Sequence, residues 1–101
     1  MPTDSVPAPP GGSPWRLDGR RALVTGASAG LGARFVRVLR AAGASVVATA
    51  RRADVLEETA RELGGGVEVL AGDITDARHR QALTEHLRDT GGLDILVNNA
   101  G

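Results

Sequence analysis

The 101-residue sequence contains no cysteine, no lysine and no tyrosine, and it has only one tryptophan and one phenylalanine. Without cysteine the chain can form no disulfide, thiolate nucleophile or cysteine-ligated metal site. Without lysine it cannot form a P-loop, whose motif needs a lysine to reach the β- and γ-phosphates. Twelve basic residues balance twelve acidic ones. This balance argues against nucleic-acid binding through a basic surface.

Long apolar runs are also absent from the sequence. None is long enough to span a bilayer, and the N-terminus lacks the apolar region of a secretory signal. We therefore expect a cytoplasmic protein with no membrane partner. All five prolines fall within residues 1–14, beside two glycines. Such a segment has too little apolar content to offset the entropy of ordering it, so we expect a disordered leader over 1–14 and an ordered domain over 15–101.

The rest of the chain alternates short apolar runs with amphipathic helical patterns. The predicted strands cover 21–25, 45–50, 67–71 and 94–98, and the predicted helices cover 30–42, 54–63 and 75 or 76 to 87. This alternation is typical of parallel βαβ units in α/β proteins. Right-handed crossovers then predict a Rossmann-type doubly wound sheet of strand order 3-2-1-4, truncated after strand four.

Two of the predicted helices show an apolar face at helical spacing. On the first helix this face consists of Leu31, Phe35, Val38, Leu39 and Ala42. On the third helix it consists of Ala82, Leu83 and Leu87. The two histidines, His79 and His86, also fall on the third helix, and we expect both on its surface, far from the ligand crevice.

A glycine-rich turn, Thr25-Gly-Ala-Ser-Ala-Gly-Leu-Gly32, lies between the first strand and the first helix. A chain that leaves a strand and enters a helix presents unpaired N–H groups and the positive end of the helix dipole, and both attract a pyrophosphate. Ligands of such sheets bind at the carboxyl ends of the strands. We therefore predict a crevice between strands one and four, with walls formed by 25–32, 50–52, 73–74 and 98–101.

Three motifs in order resemble the short-chain dehydrogenase/reductase family. They are the T-G-x-x-x-G-x-G turn at 25–32, the acid Asp73 after strand three, and Asn-Asn-Ala-Gly at 98–101. The resemblance covers roughly residues 17–101. It implies a Rossmann fold, a dinucleotide cofactor and hydride transfer between a carbonyl or alcohol substrate and the cofactor.

The resemblance also implies which residues contact the dinucleotide. The pyrophosphate and the adjoining ribose are assigned to Gly26, Ser28, Ala29, Gly30, Leu31 and Gly32. The adenine edge is assigned to Asp73 and Ile74, and the adenosine ribose and the floor of the site to Asn99, Ala100 and Gly101. Two of these residues have structural alternatives. Ser28 can form a local hydrogen bond within the turn, and Asp73 can be a loop acid that only precedes the next helix. For Asn98 we favour a structural tie between strand four and its neighbours.

Cofactor choice depends on the end of strand two, where an acid would hold the ribose 2′-hydroxyl of NAD. That position is Ala50, and Arg51 follows it. A guanidinium there can pair with a 2′-phosphate. We predict NADP, with NAD possible and Arg51 as the main contact, the alternative being an exposed arginine that pairs with Asp54 or Glu58.

The family's acid/base pair is a tyrosine with a lysine four residues later, and this sequence contains neither residue. No catalytic residue and no metal site is therefore assigned. Two hypotheses follow: the N-terminal part of a longer oxidoreductase that acts on a small-molecule substrate and forms homo-oligomers, or a complete non-catalytic nucleotide-binding module. In either case we expect no turnover from these 101 residues alone. A reading frame that continues past Gly101 into Tyr-x-x-x-Lys would favour the first hypothesis.

Overall fold

The computed structural model of the protein describes residues 16–99. The predicted leader at 1–14 lies outside this range, as do Trp15, Ala100 and Gly101. Strands and helices alternate along the described chain: β1 (Arg21–Thr25), α1 (Gly30–Ala41), β2 (Ser45–Thr49), α2 (Ala53–Glu62), β3 (Val67–Val69), α3 (Ala77–Asp89) and β4 (Ile95–Asn98).

The four strands form one parallel sheet in the order β3-β2-β1-β4, which confirms the predicted strand order. In the register of the sheet, Leu23 of β1 lies beside Val47 of β2 and Leu96 of β4. β3 is shorter than predicted, but two hydrogen bonds, from Leu70 N to Ala48 O and from Gly72 N to Ala50 O, extend its pairing with the β2 side. The ends of β2 and β3 are therefore held together.

Helices cover the sheet on both faces. Val36 and Leu39 of α1 and Leu56 of α2 pack in one cluster with alternate residues of the strands, including Val24 and Val46. Burial of a side chain such as Leu56 contributes about 1.5–3 kcal/mol. The opposite face forms a smaller cluster, in which α3 covers β1 and β2. Its buried members are Leu23, Val47, Leu83 and Leu87.

The apolar face predicted for α1 is partly wrong. Leu31 and Val38 are 58% and 48% exposed, whereas Val36 and Leu39 are buried. The helix turns Gly32 toward the sheet, because only a glycine fits against the preceding turn at that point. Leu39 is buried as predicted, and Phe35 is partly buried against the same cluster, so the error is confined to Leu31 and Val38 and to the omission of Gly32 and Val36.

On α3 the prediction for Ala82 is also wrong, because this residue is exposed while Leu83 and Leu87 are buried. The start of α3 is now defined: the Asp76 carboxylate accepts a hydrogen bond from Arg78 N at 2.9 Å and so caps the helix. Within residues 16–99, no helix is long and apolar enough to cross a membrane.

Candidate dinucleotide site

A cleft of about 450 Å³ opens at the carboxyl ends of β1, β2 and β3. Three of the four predicted wall segments line it, and its lining residues are Gly26, Ser28, Thr49, Ala50, Arg51, Arg52, Gly72, Asp73, Ile74 and Thr75. Of the fourth predicted wall, at 98–101, the described residues Asn98 and Asn99 do not line it. Over the described residues, the cleft thus extends from β1 toward β3 and not toward β4.

The glycine turn forms one end of the cleft. Gly26 and Gly30 have φ angles of 61° and 57°, a left-handed conformation that glycine adopts without steric cost. Ala27 is fully buried, and its N–H donates to Thr49 O at 3.2 Å, which fastens the turn to β2. Ala29 caps α1 without a side-chain hydrogen bond. No side chain of residues 16–99 caps the N–H groups of the first turn of α1, which leaves them suited to an anion.

Ser28 is half-buried at the cleft wall. Its hydroxyl forms no hydrogen bond with any residue between 16 and 99, so the local turn hydrogen bond suggested as its structural alternative is not formed there. A hydroxyl in this position can donate to or accept from a ligand.

Gly32 packs directly against the turn. A Cβ at this position would lie 2.0 Å from Gly26 O and 2.8 Å from Asn99 Nδ2, distances that no real contact tolerates. Gly32 is buried and serves the close packing of helix on strand, as the last glycine of such turns does. Leu31, by contrast, projects into solvent at the start of α1.

The two asparagines at the end of β4 tie this strand to β1. Asn98 Oδ1 accepts a hydrogen bond from Thr25 Oγ1 at 3.2 Å, in keeping with the structural role expected for Asn98. Asn99, expected only as a contact of the ribose and the floor of the site, also bonds to β1 and the glycine turn. Its N–H donates to Thr25 Oγ1 at 3.0 Å, and its Nδ2 donates to Gly26 O at 3.2 Å. Asn99 therefore supports the glycine turn from below.

Two arginines follow β2 and differ in their partners. Arg52 forms a salt bridge with Asp54 at 3.2 Å. Arg51 is exposed at the cleft, and its guanidinium forms no hydrogen bond or salt bridge with residues 16–99. Asp54, one of the two partners considered for Arg51, therefore pairs with Arg52 instead. The Arg51 guanidinium keeps a charge that pairs with no residue between 16 and 99.

Asp73 lies on the opposite wall of the cleft, after β3. Its carboxylate accepts hydrogen bonds from Thr75 Oγ1 at 2.7 Å and from Thr75 N at 2.9 Å. These bonds lower the pKa of Asp73, with smaller contributions from the charges of Arg51 and His79. The carboxylate is therefore held in one orientation and stays ionised below its usual range.

His79 does not lie far from the crevice, contrary to the sequence-based expectation. Its Nε2 is 2.7 Å from the hydroxyl of Thr49, a residue that lines the cleft. The expectation held for His86, which lies toward the other end of α3, where its Nε2 pairs with Glu68 at 2.7 Å. The two histidines are on one helix but reach opposite ends of the sheet.

Sequence reasoning missed Thr49, Gly72, Thr75 and His79 as neighbours of the site. Thr49 and Gly72 could have been found, because each lies at or just after the carboxyl end of a strand, where such sheets bind ligands. His79 carried no such signal, since its position depends on how α3 lies over the sheet. No group of three potential metal ligands occurs within the part of the chain that the structure describes.

Comparison with known proteins decides the family. The family model of the short chain dehydrogenases matches residues 20–101. The chain belongs to the short chain dehydrogenase family. The matched region contains the glycine turn, Asp73 and the Asn-Asn-Ala-Gly motif at 98–101, the motifs on which the resemblance was based.

Individual members of the short chain dehydrogenase family are similar over most of this chain. An L-xylulose reductase from Bos taurus is 47% identical over 85 residues, which are 84% of this chain and 33% of that protein. Nodulation protein G from Rhizobium sp. (strain N33) is 44% identical over 88 residues, or 86% of this chain and 36% of that protein. The chain thus spans about a third of the length of these relatives.

A solved structure, the Pseudomonas aeruginosa RhlG/NADP active-site complex, has a TM-score of 0.78 with this chain. It is 39% identical and covers 86% of this chain and 36% of its own. The likeness confirms a Rossmann-like arrangement of the described strands and helices, and the family supports a nicotinamide dinucleotide as ligand.

Proposed function

We propose that these residues form the cofactor-binding part of an oxidoreductase that prefers NADP. The observation that carries the proposal is the meeting of two groups that have no side-chain partner within residues 16–99: the N-terminus of α1, which follows the cleft-lining turn at Gly26 and Ser28, and the guanidinium of Arg51. Together they match the two anionic parts of NADP, its pyrophosphate and its 2′-phosphate.

The residues present fit a dinucleotide. The turn from Gly26 to Gly30 offers backbone donors and the Ser28 hydroxyl to the pyrophosphate, and Gly32 lets the helix approach closely enough to aim those donors. Asp73 and Ile74, on the wall across from the turn, would face the adenine, with the carboxylate accepting from the exocyclic amine. Ala29, Leu31 and Asn99, together with Ala100 and Gly101 outside the described range, remain proposed contacts of the pyrophosphate and ribose.

Preference for NADP rests on charge at the end of β2. An acid in place of Ala50 would bind the 2′-hydroxyl of NAD and repel a 2′-phosphate. Here the position is alanine, and Arg51 beside it carries a charge that no side chain of residues 16–99 neutralises by contact. The solved relative named above is a complex with NADP, which supports the same preference.

When bound, the nicotinamide ring would donate a hydride to a carbonyl substrate or accept one from an alcohol. The part assigned to this chain is to bind and orient the dinucleotide. The tyrosine and lysine that the family uses for proton transfer are absent from the sequence, so we propose that the 101 residues alone bind the cofactor without turning it over. Under this proposal the oxidoreductase acts on a small carbonyl or alcohol compound. We expect it to be a cytoplasmic homo-oligomer.

A nucleotide-binding module without dehydrogenase activity is the second candidate, and the absence of tyrosine and lysine from these 101 residues is the observation that favours it. The two candidates differ in what the natural reading frame contains. A Tyr-x-x-x-Lys motif downstream of Gly101 in the same frame supports the oxidoreductase, whereas an in-frame stop codon directly after Gly101 in intact genomic DNA supports the module.

Binding itself is tested by titrating the purified protein with NADPH and following the nicotinamide fluorescence. The variant Gly30→Asp places a carboxylate at the start of α1, and Gly64→Asp is its matched control. Both glycines have positive φ angles, 57° and 75°, and open space around a Cβ, but Gly64 follows α2.

We expect Gly30→Asp to weaken NADPH binding by at least about 100-fold, the scale of losing hydrogen bonds to a charged pyrophosphate, and Gly64→Asp to leave the affinity unchanged. Equal affinity in both variants, or no binding of either NADPH or NADH to the natural protein, contradicts the proposal.

A further inference from the structure

His79 lies behind the wall of the cleft formed by the ends of β2 and β3. Its Nε2 and the Thr49 hydroxyl form a hydrogen bond of 2.7 Å. Thr49 is 1% exposed and is the last residue of β2, directly before Ala50 and Arg51. The bond therefore joins α3 to the strand end from which Arg51 projects.

The imidazole ring of His79 also packs on the chain after β3. A Cβ on Gly72 would lie 2.3 Å from His79 Nδ1 and 2.4 Å from Cε1, so the ring occupies the space that any other residue at 72 would fill. Gly72 N in turn donates to Ala50 O at 2.9 Å, and Asp73 follows directly. One side chain thus contacts both segments of the wall.

We propose that His79 is a positioning residue that fixes the ends of β2 and β3 relative to each other, and thereby sets the affinity for the adenosine 2′-phosphate end of the dinucleotide. The inference rests on the proposed function, because Arg51 and Asp73 are the groups that this wall presents. It assigns His79 no contact with the ligand.

The physical reason is that few other contacts within residues 16–99 join the wall segment to β2. Ile74 is held instead on α3, where its carbonyl accepts from Arg80 Nη1 at 2.9 Å, and in the smaller cluster. β3 ends at Val69, and beyond it the wall segment is joined to β2 through Leu70 N and Gly72 N. Within residues 16–99, Asp73 forms hydrogen bonds only with near neighbours in sequence: its carboxylate accepts from Thr75 and its carbonyl accepts from Asp76 N. Loss of the His79 anchor would let the loop at 72–75 and the strand end at Thr49 move apart, which would spread Arg51 and Asp73 and cost affinity through lost preorganisation.

The test uses 2′,5′-ADP as the probe, since it carries the adenosine 2′-phosphate end of NADP without the nicotinamide. Isothermal titration of the full chain compares His79→Leu, which removes the polar atoms, with His79→Gln, whose terminal amide lies as many bonds from Cα as Nε2 does. We expect His79→Leu to weaken 2′,5′-ADP about five- to tenfold, the scale of one hydrogen bond, and His79→Gln to restore affinity to within about twofold. Thr49→Val should weaken binding like His79→Leu, and the double variant no further.

His86→Leu is the matched control, because it alters the other histidine of α3 at the far end of the sheet, beside Glu68. We expect it to lower thermal stability without changing the affinity for 2′,5′-ADP. If His79→Leu binds 2′,5′-ADP as tightly as the natural protein, or if His86→Leu weakens it equally, the inference is overturned. Failure of the natural protein to bind NADPH, NADH and 2′,5′-ADP would instead contradict the proposed function, so the two failures are distinguishable.

Discussion

Asn99 Nδ2 donates a hydrogen bond to the backbone carbonyl of Gly26 across 3.2 Å, which joins the end of β4 to the first glycine of the turn. The same amide is 2.8 Å from the point where a Cβ on Gly32 would lie. Strand, turn and helix therefore meet at a single crowded point beneath the proposed pyrophosphate contacts.

Asn99→Asp is expected to destabilise the protein, because it replaces the donor of this bond by a carboxylate facing a carbonyl oxygen. The expected loss is about 1–3 kcal/mol in the free energy of unfolding, the cost of leaving a part-buried polar group unsatisfied. Urea unfolding of the ligand-free protein measures it. Asn98→Asp is the matched control, since it keeps the oxygen that accepts from Thr25 and should change stability by less than about 0.5 kcal/mol. Equal losses for the two variants would argue against the bonding described here.

Two glycine substitutions separate steric packing from backbone conformation in the turn. Gly30→Ala meets no atom within 4 Å but must hold a φ of 57°, which costs about 1–2 kcal/mol. Gly32→Ala has no such strain but puts its Cβ 2.0 Å from Gly26 O, so the turn must move. We expect Gly32→Ala to lower the unfolding free energy by more than Gly30→Ala does, as measured by urea denaturation of both. A Gly32→Ala protein as stable as the natural one would show that α1 does not pack this closely.

The arrangement of strands and helices was predictable because apolar runs, glycines and helical spacing all pointed to the same βαβ pattern. The rotation of α1 was not, since hydrophobicity places Leu31 and Val38 in the core and takes no account of glycine. Gly32 faces the turn with no room for a Cβ, and Val36, one helical turn later, is buried on the same side while Val38 is exposed.

The candidate site was predictable where it depends on strand ends, as at Arg51 and Asp73. His79 was not, because a residue on a covering helix reaches the cleft only through the tertiary placement of that helix over the sheet. Gly72 is the only sequence feature that reflects the position of His79, because the imidazole ring occupies the space of a Cβ there. The sequence alone does not show that a ring lies against this glycine.

The lowered pKa of Asp73 yields a prediction about Thr75. A depressed folded-state pKa means that the carboxylate stabilises the fold above the ordinary pKa of an aspartate, and that this contribution is lost as the pH falls through the lowered pKa. Thr75→Val removes the hydroxyl bond, which is the largest cause of the shift, and leaves the Thr75 N–H bond. We expect the pKa of Asp73 in this variant, measured by NMR titration, to rise toward its ordinary value.

Thr84→Val serves as the control for this titration, because the Thr84 hydroxyl donates to Arg80 O on α3 and does not contact Asp73. The pKa of Asp73 should be the same in this variant as in the natural protein. A pKa that stays low in Thr75→Val would mean that the hydroxyl is not its main cause, and that the remaining Thr75 N–H bond and the charges of Arg51 and His79 hold it there.

The ratio of NADPH to NADH affinity in Arg51→Glu and Arg52→Glu tests whether Arg51 makes the site prefer NADP. Both variants change the net charge equally and lie one residue apart, but only the Arg51 guanidinium is free of a salt bridge within residues 16–99. If Arg51 binds the 2′-phosphate, Arg51→Glu lowers the ratio by at least about tenfold, the scale of a charged hydrogen-bonded pair, and Arg52→Glu lowers it much less. An NADPH to NADH ratio that Arg51→Glu leaves unchanged would contradict it.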